Sequence, residues 1–480
     1  MSGSVSDLLR DAASLHRFIT SIARRRQSEK THRLATEEFL NYIQDLSESA
    51  QRFLQDFTQR VSAPSSDPDD LARFDRPCLA TIREFWGDLH EFVRPAEDAD
   101  TLSIPVALIQ HLEDEVSKLP GLNRSRLVIS HTSELNYVEY PRSDLRFHAQ
   151  AYDGIVTKGP AFPAKMALIA MPYSQDAALF LNLVICHELG HFAFEELDFE
   201  RQLSSDIEDA LKGLEAYASM SEPDLSWCRE RLKYWSEEIY CDRFAIGLIG
   251  PAFCFAYIEL WDIVATASDA DESYLVEFYD THPSDACRFR EHSDQLKKGD
   301  WWSLLIENTK SSYIPLIQRL ADIDPDHYVF ASDQKPHLAD PVLKAFIKMK
   351  PKLADLVDTT FGPRLRRFRG DVDKEEIHLV KSYLSRGVVP STLIRKRKER
   401  FPDPVALINA AYLFYLESMA ELMQRIAGQK EENLCQRSKW AERVESWTLK
   451  ALEDLRLTSS PLELTNGSAI EQNNQKSSQT

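Results

Sequence analysis

Two histidines and one glutamate stand at a spacing that zinc enzymes use. His187 and His191 are four residues apart, and Glu188 follows the first histidine. On an α-helix, residues four apart lie on one face about one turn apart, so both imidazoles can bind the same Zn²⁺. The Glu188 carboxylate is then placed to act as a general base towards a metal-activated water. The pattern H-E-x-x-H therefore indicates zinc-dependent hydrolysis.

Glu238 and Asp242 form the pattern expected of a third metal ligand and its neighbour. They are four residues apart in a segment predicted to be helical from about Leu225 to Leu248, so they share one face. Like charges at this spacing repel, so a cation is expected against them, and the zinc–histidine cluster would provide it. In this hypothesis Glu238 binds the metal, while Asp242 accepts the remaining ring N–H of a histidine. The alternative is a pair of acidic residues on a solvated helix face.

The residues before His187 predict how the first of these helices is positioned. A β-type run from Lys165 to Met171 precedes a segment from Ala177 to Cys186 that is apolar almost all round. A helix of this kind is expected to be buried, with Ser174 or Asp176 as its N-cap. Burying two histidines and a glutamate there would be costly without a partner, and a metal ion provides one.

These segments resemble the zinc-binding core of the gluzincin metallopeptidases, in which a glutamate on a second helix is the third ligand. The resembling pieces are His187-Glu-Leu-Gly-His191 and Glu238-Ile-Tyr-Cys-Asp242-Arg-Phe-Ala245. A third piece, Thr281-His-Pro-Ser-Asp-Ala-Cys-Arg288, is similar to the His-Pro segment with a following arginine in HtpX-like and CAAX-prenyl-protease-like peptidases. Soluble relatives of the ImmA/IrrE type, which act on regulatory proteins, share the first two pieces. The resemblance spans roughly Lys165 to Arg290 and implies a zincin (minigluzincin-like) fold with Zn²⁺ as cofactor.

The third piece has two interpretations. His282 or Arg288 would donate to the oxyanion of a tetrahedral intermediate. Equally, the segment is a helix start with Ser284 as its cap and Arg288 in an ordinary ion pair. The resemblance further implies that the strand from Lys165 to Met171 lines the cleft and offers an edge to which an extended peptide can add.

The cysteines argue against both a disulfide framework and a cysteine zinc site. There are seven, scattered along the chain without a C-x-x-C pair, which fits a reducing compartment. One of them, Cys241, stands where a small alanine is usual in the resembled family. It is a conceivable ligand, but the neighbouring carboxylates of Glu238 and Asp242 make this the minor alternative.

The composition is that of an ordinary globular protein and sets limits on its partners. The net charge of −19 opposes a general nucleic-acid-coating role. Two basic clusters, 364–369 and 395–398, are interpreted as solvated helix faces that balance nearby acidic residues. The longest uncharged stretch that suggests a membrane segment, Phe244 to Tyr257, is shorter than the roughly 18 to 20 residues that a span needs. We therefore expect a cytoplasmic protein with no membrane span, for which nucleic acid is an unlikely partner.

The expected fold class is α+β and mainly helical, since the chain has only 15 glycines in 480 residues and helical periodicity dominates. Four regions are predicted. A helical N-terminal region (1–120) precedes a zincin-like metallopeptidase domain with a small sheet and the active-site helices (121–300). A helical C-terminal region (301–456) and a disordered tail rich in Ser, Asn and Gln (457–480) follow.

The predicted function is that of a zinc metalloendopeptidase, with a protein or peptide as substrate and regulatory proteolysis as a hypothesis for its role. The assigned residues are His187, His191 and Glu238 as metal ligands, Glu188 and His282 as catalytic groups, Asp242 behind the ligands, and Arg288 as a transition-state or structural group. One alternative is a non-catalytic interaction scaffold that retains the zincin fold. Another is zinc-assisted hydrolysis of a non-peptide bond. The oligomeric state is not predicted.

Overall fold

A computed structural model describes most of the chain after residue 103. The described residues are 104–132, 137–139, 165–172, 178–268, 275–308, 313–330, 335–362, 364–390, 403–426 and 439–456, together with isolated helical positions between Arg10 and Gln59. They are mainly helical, with two small sheets, which confirms the expected mainly helical α+β class. The N-cap candidates Ser174 and Asp176, the second basic cluster and the tail fall outside the described residues.

The helices are numbered here in chain order within the described residues. They are α1 (Val106–Ser117), α2 (Ile185–Glu196), α3 (Phe199–Lys212), α4 (Glu222–Ile249), α5 (Pro251–Ser268), α6 (Asp285–Lys298), α7 (Trp301–Asn308), α8 (Tyr313–Ala321), α9 (Ala339–Phe361), α10 (Asp371–Leu384), α11 (Pro404–Ile426) and α12 (439–456). The strands are β1 (Arg126–Thr132), β2 (Val138–Glu139), β3 (Met166–Pro172), β4 (Glu277–Phe278) and β5 (Val329–Phe330).

The chain forms two compact units. The first comprises Met1–Ile104, Gly121–Asp176 and His191–Leu197, and the second comprises Pro105–Pro120, Ala177–Gly190 and Asp198–Thr480. The four predicted regions stay a prediction.

The first unit contains a three-stranded sheet in the order β1-β3-β2. Strands β1 and β3 are parallel from the pair Arg126 and Met166 onwards, and β2 pairs antiparallel with β3. All seven residues of β3 are buried, as expected for an apolar strand covered on both faces. The strand predicted from Lys165 to Met171 is therefore confirmed. Its predicted role as a free edge is wrong, because β3 lies between the other two described strands of the sheet.

In the second unit, α4 is the longest described helix, and local sequence explains both of its ends. Ser221 is the N-cap, and its side chain accepts a hydrogen bond from the backbone N–H of Asp224. Pro223 lies in the first turn, where it removes no intrahelical hydrogen bond. The helix stops at Gly250, whose φ of 72° lies in the left-handed region that favours glycine. The helix thus begins three residues before the predicted start at Leu225.

Helix α6 begins as the cap interpretation predicts. The Ser284 hydroxyl accepts a hydrogen bond from the backbone N–H of Cys287, which confirms Ser284 as the cap. Asp285 in the first turn and Lys297 and Lys298 in the last turn complement the helix dipole. Residues next to its first turn therefore determine where α6 begins. That start in turn determines the side of the helix on which Arg288 lies.

Trp235 anchors α4 in the core of the second unit. Its side chain is fully buried, and it packs against the rings of Phe278, Phe330 and Phe346 at centroid distances of 4.8, 4.9 and 5.4 Å. Its indole N–H donates to the carbonyl oxygen of Tyr279 at 2.8 Å. The loop that carries His282 is thereby tied to the middle of α4.

The first basic cluster is held by internal ion pairs. Arg366 and Arg369 both contact the carboxylate of Asp373, which is fully buried. The prediction that acidic neighbours balance this cluster is confirmed for these two residues. They lie in the connection between α9 and α10 and not on a helix face, which corrects the predicted placement. Within the described residues, no helix is both long and apolar enough to cross a membrane.

Candidate metal centre

Helix α2 carries the H-E-x-x-H residues. A four-residue 3-10 segment, Leu181–Val184, leads directly into this helix. Phe180 before this segment and Ile185 after it are both buried. His187 and Glu188 are buried, with 6% and 7% of their surface exposed, and His191 is half-buried one turn later. The predicted burial of the helix is therefore confirmed, but its predicted extent is wrong, because residues 178–180 are not helical and the α-helix begins only at Ile185.

Helix α4 brings two carboxylates to the two ring nitrogens of His187. Nε2 lies 3.3 Å from Oε2 of Glu238, and Nδ1 lies 3.0 Å from Oδ1 of Asp242. Both carboxylates are buried, Asp242 completely. The structure thus brings together His187, Glu238 and Asp242, with each carboxylate on its own ring nitrogen.

Cys241 also lies close to the two histidines. His187, His191 and Cys241 each offer one ligand atom, and these three atoms lie within 4.8 Å of one another. Glu238 is not part of that set, although its carboxylate lies on Nε2 of His187. Burial raises the pKa of the Cys241 thiol well above its ordinary value, and the nearby carboxylates, Glu237 first, raise it further. The structure thus brings Cys241, and not the predicted Glu238, into one set with both histidines.

Arg288, on helix α6, contacts both carboxylates. Its Nε and one terminal nitrogen donate to Asp242 at 2.8 and 2.7 Å, and its other terminal nitrogen lies 3.2 Å from Oε2 of Glu238. The guanidinium also lies over the ring of Tyr257, 4.6 Å from its centroid. A cation was expected against Glu238 and Asp242, and the sequence analysis assigned that role to the zinc–histidine cluster. The structure shows that Arg288 is also such a cation. Of its two interpretations, the ion pair is the one that this geometry supports.

These contacts set the charges of the centre. Burial alone would raise the pKa of Asp242, but the positive charge of Arg288 and then the neighbouring His292 hold it well below its ordinary value. Burial alone would lower the pKa of His187, but Asp242 and Glu238 outweigh it and raise that pKa to about 10. Without a metal, both ring nitrogens of His187 therefore carry a proton near pH 7. A metal ion that binds this ring has to displace one of the two protons.

His282 is the exposed member of the group. About half of its side chain is accessible, and its Nε2 lies 3.6 Å from Oε1 of Glu238. Its carbonyl oxygen accepts a hydrogen bond from the backbone N–H of Tyr279, and its Nδ1 lies 2.7 Å from the hydroxyl of Thr281. The structure thus places a partly exposed imidazole beside Glu238.

His292 is a residue to which the sequence analysis gave no role. Its side chain is completely buried on α6, and its Nε2 lies 3.1 Å from Oδ2 of Asp242. The signal was its position four residues after Arg288, because that spacing puts both side chains on one helix face.

The side chains present fit a zinc ion by their chemistry, and His187 and Glu238 fit it by their spacing as well. Imidazole nitrogen and carboxylate oxygen are ordinary zinc ligands with bonds of about 2.1 Å, so two such ligands at a tetrahedral angle lie about 3.4 Å apart. The 3.3 Å between His187 Nε2 and Glu238 Oε2 matches that spacing. Asp242 on the other ring nitrogen is the carboxylate–histidine arrangement typical of zinc sites.

No protein-family model, no curated protein and no solved structure matches this chain.

Proposed function

We propose that this chain is a zinc-dependent metallopeptidase of the gluzincin type with a zincin-like fold, acting in the cytoplasm on a protein substrate. The observation that carries the proposal is the pair of carboxylates on His187. Glu238 lies on one ring nitrogen and Asp242 on the other, both buried and one helical turn apart. A metal ligand with its orienting carboxylate has this arrangement.

His187, His191 and Glu238 would hold the metal ion. When bound, Zn²⁺ would lower the pKa of a water molecule towards about 7 and polarise the scissile carbonyl. Asp242 accepts from Nδ1 of His187, which leaves Nε2 as the ligand atom.

Glu188 and His282 have the roles closest to the substrate. Glu188 takes the proton of the attacking water and passes it to the leaving amine. His282, the partly exposed group beside Glu238, donates to the oxyanion as it develops on the carbonyl oxygen. Glu188 as a general base and His282 as a donor, both close to the proposed ligands, fit a site for peptide hydrolysis. A purely structural metal site needs no general base.

The first test is the zinc content of the purified full-length protein. The comparison uses wild type, His187→Ala, Glu238→Ala, and Glu188→Gln as a control that should keep the metal. We expect about one zinc per chain in wild type and in the control, and clear loss in the two ligand variants. A wild-type protein that binds no added zinc would refute the proposal.

The second test is turnover. With a peptide library as substrate, Glu188→Gln should keep zinc but lose about 10²- to 10⁴-fold in rate, since it lacks the general base. Ester and amide substrates tested in parallel would reveal hydrolysis of non-peptide bonds instead. Equal rates for wild type and Glu188→Gln would exclude the proposed mechanism.

A non-catalytic interaction scaffold is the second candidate, and one observation favours it. Arg288 already contacts both Glu238 and Asp242, so a cation lies against the buried carboxylates without a metal. In that case zinc would be absent or without effect, which the first test decides.

A further inference from the structure

Asp242 is surrounded by nitrogen atoms from three side chains. Oδ1 lies 3.0 Å from Nδ1 of His187 and 2.7 Å from a terminal nitrogen of Arg288. Oδ2 lies 2.8 Å from Nε of Arg288 and 3.1 Å from Nε2 of His292. The two contacts from Arg288 are hydrogen bonds, whereas the contact from His292 is a close approach without hydrogen-bond geometry. His187 and His292 thus contact opposite oxygens of one buried carboxylate.

The rest of the His292 ring lies among aromatic side chains. The rings of Phe253, Tyr257 and Phe289 pack against it edge-on, with centroid distances of 5.6, 5.3 and 5.4 Å. Neither of its ring nitrogens makes a hydrogen bond among the described residues, and Nε2 meets Oδ2 of Asp242 as a close polar contact at 3.1 Å. The ring is therefore held by packing, and Asp242 lies at its Nε2 edge. Phe253 also stacks on His187 with an interplanar angle of 1°, so one ring contacts both histidines.

We propose that His292 is a positioning residue for the metal centre. It fixes Oδ2 of Asp242, so that Oδ1 stays on Nδ1 of His187 and the Nε2 of that ring points towards Glu238. This inference rests on the proposed function, because it assigns to His292 an effect on a bound metal. Loss of a partner behind a zinc-ligating histidine typically weakens metal affinity by about 10- to 100-fold.

The test compares two amide variants of the full-length protein. In His292→Gln the side-chain amide can reach the position of Nε2, whereas in His292→Asn it reaches only the position of Nδ1. Zinc affinity is measured by competition with a chromophoric chelator, and the visible spectrum of the Co²⁺-loaded protein reports the ligand geometry. His111→Gln is the control, since His111 is a buried histidine on α1. Unfolding in excess chelator measures the stability of each variant separately.

We expect His292→Asn to bind zinc about 10- to 100-fold more weakly with an altered Co²⁺ spectrum, and His292→Gln and His111→Gln to remain close to wild type. Equal affinities and spectra for His292→Gln and His292→Asn would overturn the inference, because a purely structural role does not distinguish the two positions. If wild type binds zinc and neither His292 variant changes the zinc affinity or the Co²⁺ spectrum, the role of His292 is refuted while the proposed function is not. Wild type that binds no zinc would refute the proposed function and this inference with it.

Discussion

Gly190 packs directly against the backbone of Cys241. A Cβ built at Gly190 would lie 2.6 Å from the Cα of Cys241 and 2.8 Å from its Cβ, closer than non-bonded carbon atoms approach. The two residues lie on α2 and α4, so the missing side chain allows these helices to meet at the point where His187 contacts Glu238. The glycine in His187-Glu-Leu-Gly-His191 is thereby explained by helix packing.

Gly190→Ala should separate the two helices. The added methyl group meets backbone, which cannot move aside as a flexible side chain does, so we expect the free energy of unfolding to fall by about 1–3 kcal/mol. Zinc affinity should fall as well, because His187 moves relative to Glu238. Gly213→Ala is the control, since the nearest atom to its added Cβ is the mobile Nζ of Lys348. Urea unfolding that changes equally in both variants would contradict this explanation.

Cys241→Ala tests the identity of the third metal ligand. Because Oε2 of Glu238 lies 3.3 Å from Nε2 of His187, we expect Cys241→Ala to keep about one zinc per chain while Glu238→Ala loses it. Metal analysis of both variants after dialysis checks the prediction. The opposite pattern, zinc lost from Cys241→Ala and kept by Glu238→Ala, would assign the metal to the thiolate.

Arg288→Met should be strongly destabilising. The substitution keeps much of the side-chain volume over Tyr257, but it leaves Asp242 and Glu238 buried without their shared cation. Breaking such a buried pair costs about 3–5 kcal/mol, and Arg288→Lys should lose less because the charge remains. Chemical denaturation with and without added zinc measures both effects, and zinc should recover part of the loss in Arg288→Met. A variant as stable as wild type would show that this ion pair contributes little.

Sequence patterns predicted those features that depend on spacing within one helix. The positions of His187 and His191, of Glu238 and Asp242, and the cap at Ser284 all follow from local rules. Long-range packing was beyond those rules. That Arg288 compensates the acidic pair and that His292 contacts Asp242 both depend on how α6 lies against α4.

The sheet shows the same limit. The apolar run of β3 predicted a strand, but an apolar strand covered by neighbours and one left at an edge have similar sequences. Only the pairing of β3 with β1 and β2 shows that it lies between them. The sequence therefore predicted the elements better than it predicted which elements are neighbours.

Glu445 on α12 gives the fold a pH-dependent contribution. Its carboxylate accepts a hydrogen bond from the backbone N–H of Phe180, just before the segment that leads into α2. Burial raises its pKa from the ordinary 4.5 to about 7, although the backbone donors of Phe180 and Leu179 act in the opposite direction. Because the folded-state pKa is raised, the protonated form is favoured by folding. Its contribution to stability is complete below about pH 4.5 and is lost as the pH rises through about 7.

Glu445→Gln should therefore stabilise the protein at pH 8 and have little effect near pH 4.5. The amide cannot ionise, so the variant avoids the cost of ionising a buried carboxyl group. With a pKa of 4.5 in the unfolded state and about 7 in the folded state, that cost is about 3 kcal/mol in wild type. Urea unfolding of both proteins at pH 4.5 and pH 8 measures it. Glu453→Gln, at an exposed position on the same helix, is the control for the removal of one carboxylate. If the stability difference between Glu445→Gln and wild type were the same at both pH values, the Glu445 carboxyl would titrate normally. The link from α12 to the start of the H-E-x-x-H helix would then carry no pH dependence.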